Sequence, residues 1–129
     1  MFGKCGMAFR FLSWIANRTP SVKAMLTGWD RKVQFSLSGE DPFFIEVVDG
    51  HLKRRTGETN MPDLIFTSDS EKFFQVMTGR MKFDQGFSSG AYSMKGSIVD
   101  AVKLMRVAEL AQESHPTLMS IMKVASRLM

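Results

Sequence analysis

Cysteine occurs once, at Cys5, so no disulfide can form within the chain, and a reducing cytosol is the expected compartment. Histidine occurs twice. Neither His51 nor His115 stands at H-x-x-x-H or C-x-x-C spacing with another ligand, so no metal site is expected. No glycine-rich phosphate loop is present either: Gly86, Gly90 and Gly96 are followed by neither Lys-Ser nor a strand-to-helix junction, and no cofactor is expected. No uninterrupted apolar run approaches the roughly 18 residues that span a bilayer, which excludes a transmembrane helix of that kind. Between Met1 and Asn17 the apolar stretch is broken by Arg10 and no small-x-small site follows, so a signal peptide is not expected. Charge of one sign is in short supply as well. Lys plus Arg number 17 against 13 Asp plus Glu, a mild +4. The only basic triplet, Lys53-Arg54-Arg55, has no ladder of aromatic residues beside it, so no nucleic-acid partner is expected.

What the chain does have is phenylalanine and methionine, 11 of each against one tyrosine and two tryptophans. Phe supplies apolar bulk without a polar handle, and Met a flexible thioether that repacks around irregular shapes. Two readings stay open on that composition: an ordinary core, or an apolar cavity that adapts to a greasy ligand. With 129 residues, 44% of them apolar and 23% charged, the chain suits one globular domain, 1–129.

Periodicity orders this domain. Residues 7–17 set Ala8, Phe11, Leu12 and Ile15 on one helical stripe opposite Arg10, Ser13 and Asn17. Thr19-Pro20 offers a cap and first-turn proline for a second short helix ending at Gly28. The period then drops to two: Val33, Phe35 and Leu37 alternate with Gln34, Ser36 and Ser38, as in a half-buried strand. Residues 43–48 and the run from His51 flank Asp49-Gly50, a strong hairpin signal, and Leu64–Thr67 gives a further strand. Ser68 with Glu71 has the spacing of a capping box for a helix carrying Phe73, Phe74 and Met77, which ends at Gly79. Residues 80–91 read as irregular with one helical turn near Gln85, before a short strand from Tyr92 to Gly96. In the helix from 98 to 111, Ile98, Ala101, Val102, Met105 and Ala108 share one face. Val99, Val107 and Leu110 lie on the other, so cover on a second side is expected. After His115-Pro116, Leu118, Ile121, Met122, Ala125 and Leu128 recur as a clean amphipathic stripe over 116–128, either that cover or a detachable lid. The sum is an α+β domain whose short hairpin spacings argue against a doubly wound parallel sheet.

Candidates for chemistry fall away on context. Gly86-Phe87-Ser88-Ser89-Gly90 matches the G-x-S-x-G elbow, and Asp100 and His115 follow in hydrolase order. The elbow needs a strand before it and a helix after it, and neither is expected there. Met119-x-x-Met122 and Met77-x-x-x-Met81 offer soft thioethers of the kind Cu(I) prefers, but their apolar neighbours fit packing. No catalytic residue and no enzymatic activity is expected.

From Asp49 onward the chain resembles the sterol carrier protein type 2 family of lipid-binding domains. The resemblance runs through Asp49-Gly50 with Leu52, Gly57-Glu58, Pro62-Asp63-Leu64, Phe66-Thr67, Ser70 and Phe73. It continues through Gly79, Met81, Phe87, Gly90, Met94 and Gly96 to Ala101, Lys103 and Leu104, covering roughly residues 30–110. It implies a five-stranded, mainly antiparallel sheet with helices on one face and an apolar tunnel between the layers. It implies binding and transfer of a fatty acid, fatty acyl-CoA, sterol-like or quinone-type lipid, without catalysis. Carried over by position, Phe66, Phe73, Phe87, Met94, Val102 and Met105 form the tunnel wall. The helical pattern adds Met77 and Met81, with Leu118, Met122 and Leu128 on a lid.

There are departures. Phe43-Phe44-Ile45 stands where family members often carry a tryptophan. Ser126-Arg127-Leu128 resembles a peroxisomal tripeptide, but Met129 follows it, so peroxisomal import is not expected. A cytoplasmic, single-domain prokaryotic type fits best. A transient contact with an anionic membrane is a further expectation, from the +4 charge and the helix at 7–17. The alternative is a scaffold, accessory or dimerisation module of a lipid-biosynthesis pathway, with the same fold and a cavity filled by its own side chains.

Overall fold

The computed structural model describes residues 3–77 and 80–114. At its centre is a sheet ordered β3-β2-β1-β4-β5, formed by β1 (Arg31–Ser38), β2 (Phe43–Val48), β3 (His51–Thr56), β4 (Leu64–Asp69) and β5 (Tyr92–Gly96). β1 and β4 run parallel at the middle and every other pair is antiparallel, in keeping with the expected architecture. Asp49 and Gly50 turn β2 into β3 with φ of 52° and 76°, the two positive values that a tight two-residue hairpin requires.

Among the described residues five helices accompany the sheet: α1 (Lys4–Ala16), α2 (Pro20–Leu26), α3 (Ser70–Met77), α4 (Phe83–Ser88) and α5 (Ile98–Ser114). α1 starts three residues before the expected 7–17. The reason is remote in sequence: Glu40, from the β1–β2 turn, accepts the first-turn amides of Cys5 at 3.2 Å and Gly6 at 2.9 Å, satisfying N–H groups that a helix start leaves open. The buried stripe of α1 also differs. Cys5, Ala8, Phe9, Leu12, Ile15 and Ala16 face inward, while Phe11 is half buried at the rim. Ser13, expected outside, is buried because its hydroxyl donates to Phe9 O at 2.6 Å.

Three further expectations are corrected by hydrogen bonding. The cap of α3 is Asp69, whose carboxylate accepts the amides of Glu71 and Lys72 at 2.9 and 3.2 Å; Ser68 instead belongs to β4 and donates to Ala91 O. Thr19 does not cap α2, since its hydroxyl donates back to Ile15 O at 2.7 Å. Gln34 is buried although it alternates with the core residues of β1. Its amide donates to Phe43 O at 3.1 Å and Gly57 O at 3.3 Å and accepts Thr59 N–H at 2.9 Å, tying the β3–β4 crossover across the outer face of the sheet.

The inner face is aromatic. Phe35 stacks between Phe43 and Phe66 with ring centroids at 5.0 and 5.4 Å, and Phe9 and Phe73 lie against it at 4.5 and 5.6 Å. Phe66 and Phe73 both reach Tyr92, at 5.7 and 5.8 Å. Such offset and tilted pairs stabilise beyond their area alone, by about 0.5–1.5 kcal/mol each. In α5 the buried stripe is Ala101, Leu104, Val107 and Ala111, so Val107 faces the core and Val102 faces out, the reverse of the sequence expectation. The helix expected at 116–128, with Leu118, Met122 and Leu128, lies outside the described residues, as does Gly79.

Candidate functional site

α4 is six residues long and cannot hold itself in place. It is fixed from below by Tyr92, whose hydroxyl donates to Phe83 O at 2.8 Å and whose ring stacks under Phe87 at 6.0 Å. Gly86 closes the contact: a Cβ there would lie 2.9 Å from Val76 Cγ2 and 3.0 Å from Tyr92 Cε1. Burial and, next, the nearby Asp84 carboxylate push the Tyr92 phenol up to about 12, so it remains a neutral donor. Met105 Sδ is 3.9 Å from the same hydroxyl.

Between α4 and α5 this arrangement leaves a cleft of about 630 Å³, within the range of small-molecule sites. Its walls carry Val76, Met81, Phe83, Val102 and Met105. Its rim carries Lys82 and Asp84 on one side and Arg106, Glu109, Gln112 and Glu113 on the other. Arg106 stands 3.8 Å from both Glu109 and Glu113, and the Gln112 amide donates to Met77 O, anchoring α5 to the end of α3.

The eight described residues expected to wall a tunnel divide accordingly. Met81, Val102 and Met105 line the cleft. Phe66, Phe73 and Met77 are buried in the aromatic core beneath it, and Met94 is half buried, paired across the sheet with Phe66. Phe87 is 48% exposed, beside the cleft on α4. Phe83 and Val76 were not anticipated. The helical turn expected near Gln85 is α4, and Phe83 and Phe87 stand four apart on it, a helical spacing that is legible in the sequence. A second basin, about 470 Å³, lies over Met7, Arg10, Phe11 and Trp14 on the outer side of α1, where the Arg18 guanidinium sits 4.4 Å from the Trp14 ring.

Groups capable of chemistry are occupied elsewhere. Ser88 of the G-x-S-x-G stretch lies on the last turn of α4 and donates to Asp84 O at 2.6 Å, so no strand-to-helix elbow forms. Asp100 is held by Trp29 Nε1 at 2.9 Å and Arg31 Nε at 3.0 Å. Cys5 is fully buried, donates to Ser70 O at 3.2 Å, and has its thiol pushed far up by burial and then by Glu40. Among the described residues no three His, Cys, Asp or Glu side chains gather as a metal site, and no helix is long and apolar enough to cross a membrane.

Comparison with known proteins places the geometry. A family model described as the SCP-2 sterol transfer family matches residues 12–109. Among curated proteins, Hydroxysteroid dehydrogenase-like protein 2 of Xenopus tropicalis is 34% identical over 77 residues, 57% of this chain and 18% of that protein. The chain thus spans less than a fifth of that relative. Among solved structures, the sterol carrier protein domain 2 of Helicoverpa armigera is similar with a TM-score of 0.67 at 18% identity, covering 79% of this chain and 83% of that one. A UbiJ-SCP2 ubiquinone synthesis protein gives 0.63 at 13%, covering 78% and 84%. At such identities the likeness is one of fold.

Proposed function

The chain belongs to the SCP-2 sterol transfer family, a membership that supports a lipid-binding or lipid-transfer role in general, and we propose that its α4–α5 cleft is where the lipid is held. The observation that carries this reading is a cleft with an apolar wall and charged rim, sized for a ligand and lined by Met81, Val102 and Met105. Each methylene removed from water there contributes about 0.8 kcal/mol, enough for a single acyl or isoprenoid chain to outweigh its ordering cost. The two methionines let the wall follow chains of different shape. The chain's own part is to bind and shield the lipid; no covalent step is required of it. Phe87 and Met94 extend the apolar surface toward the β5 edge, and a segment 116–128 carrying Leu118, Met122 and Leu128 would close over the ligand as a lid. For loading, the outer stripe of α1 (Met7, Arg10, Phe11 and Trp14), with Arg18 just beyond its end over Trp14, would rest on an anionic membrane surface, in a cytoplasmic setting.

A second reading has its own observation. The stacked rings of Phe43, Phe35 and Phe66 fill the inner face of the sheet, as a scaffold or accessory module with a side-chain-filled interior would require.

Mass spectrometry under non-denaturing conditions, on protein purified without detergent, separates the two readings. The carrier reading expects a lipid-sized adduct, or stoichiometric uptake of N-phenyl-1-naphthylamine that Val102→Trp abolishes. Neither adduct nor uptake would leave the scaffold reading.

A further inference from the structure

Among its described residues the rim of the cleft carries more carboxylates than cations, and this bears on the head group of the ligand. Among the described residues, Asp84, Glu109 and Glu113 contribute three carboxylates, against the two cations Lys82 and Arg106. Arg106 stands equally far, 3.8 Å, from Glu109 and from Glu113, so its charge is already shared between two partners on its own helix. Gln112 directs its amide N–H to Met77 O, which leaves its carbonyl oxygen as a further acceptor at the rim. A carboxylate, phosphate or coenzyme A head placed here would meet more carboxylates than cations among the described rim residues and would have to draw Arg106 away from two glutamates. A hydroxyl or ammonium head meets the reverse situation, since it donates to groups that have acceptor capacity to spare.

We infer that the cleft selects an amphiphile whose head donates hydrogen bonds and carries no net negative charge: a long-chain alcohol or a long-chain amine. The inference rests on the proposed lipid-binding cleft and adds to it the chemistry of the head. Glu109 and Glu113 are its specificity-determining residues. Both are largely exposed, with side-chain exposures of 47% and 63%, so Glu→Gln at either leaves the fold in place.

The experiment is a displacement series against the neutral probe N-phenyl-1-naphthylamine, using ligands that share one oleyl chain and differ only at the head. The expected order is oleyl alcohol and oleylamine ahead of oleate, with oleoyl-CoA weakest by about tenfold at low ionic strength, a difference of about 1.4 kcal/mol. Salt narrows the gap, because the rim is exposed and screened. The double variant Glu109→Gln, Glu113→Gln narrows it as well by releasing Arg106. Oleate or oleoyl-CoA competing as well as the alcohol overturns the inference, and so does a gap unchanged in the double variant; in both cases the carrier reading survives. If no member of the series displaces the probe and Val102→Trp still takes it up, the cleft is not the site and both readings fall.

Discussion

Asn17 meets Leu52 as a neighbouring strand would: its Nδ2 donates to Leu52 O at 2.9 Å while its Oδ1 accepts Leu52 N–H at 2.8 Å. β3 is an outer strand of the sheet, and an open edge invites pairing with another chain. One side-chain amide at the end of α1 reproduces a peptide unit and closes that edge where Leu52 is buried. Asn17→Ala is expected to cost about 1–3 kcal/mol, the penalty for leaving buried main-chain groups unpaired, and to increase aggregation on warming. Urea unfolding with light scattering checks this; an unchanged midpoint would contradict it.

Asp100 joins the start of α5 to Trp29 in the α2–β1 connection and to Arg31 at the start of β1. Burial pushes its carboxyl up, but the two hydrogen bonds and the charges of Arg31 and Lys103 outweigh that and hold it below the ordinary range. A depressed folded-state value means stabilisation that is present above about pH 4, the unfolded value, and is lost as the pH falls through the folded one. Asp100→Asn should therefore destabilise at neutral pH, and the difference from the parent should shrink in strong acid. Equal differences at both pH values would contradict this.

Tyr92 is the only tyrosine, so phenolate absorbance in an alkaline titration reports on it alone. Ionisation is expected near pH 12, raised first by burial and then by Asp84. Because the folded value is the higher one, the stability linked to this group is complete below about pH 10 and is lost as the pH rises toward 12. Titration near the free-phenol value in folded protein would mean that Tyr92 does not hold α4.

Gly86 tests the same support sterically. Gly86→Val drives a branched side chain against Val76 and Tyr92, where even a Cβ would stand at 2.9–3.0 Å. Overpacking of this kind costs about 1–3 kcal/mol, and α4 should lift from β5. The expected readouts are a lower melting temperature and faster probe exchange from the cleft; a parent-like melting curve would place the support of α4 elsewhere.

The strands and their hairpin were legible because period-two alternation and Asp49-Gly50 are local signals that the sheet obeys. Two misreadings, the start of α1 and the burial of Gln34, come from a partner distant in sequence. Glu40 extends α1 from 34 residues away, Thr59 draws Gln34 into a buried site from 25 away, and nothing near residue 4 or residue 34 announces either. The cap of α3 is displaced by one residue because β4 runs on through Asp69, leaving its carboxylate at the first turn. At the site, Met81, Val102 and Met105 were readable as apolar positions, but the charged rim was not. Lys82 and Arg106 come to line one cleft because Tyr92 holds α4 over β5.

The most direct test of the cleft assignment is residue-resolved: amide chemical shifts during titration with oleyl alcohol. The account predicts perturbations concentrated at Val76, Met81, Phe83, Val102 and Met105, with Phe35 and Phe43 in the packed aromatic layer little changed. Perturbations confined to Met7, Phe11 and Trp14, or centred on Phe35 and Phe43, would contradict it.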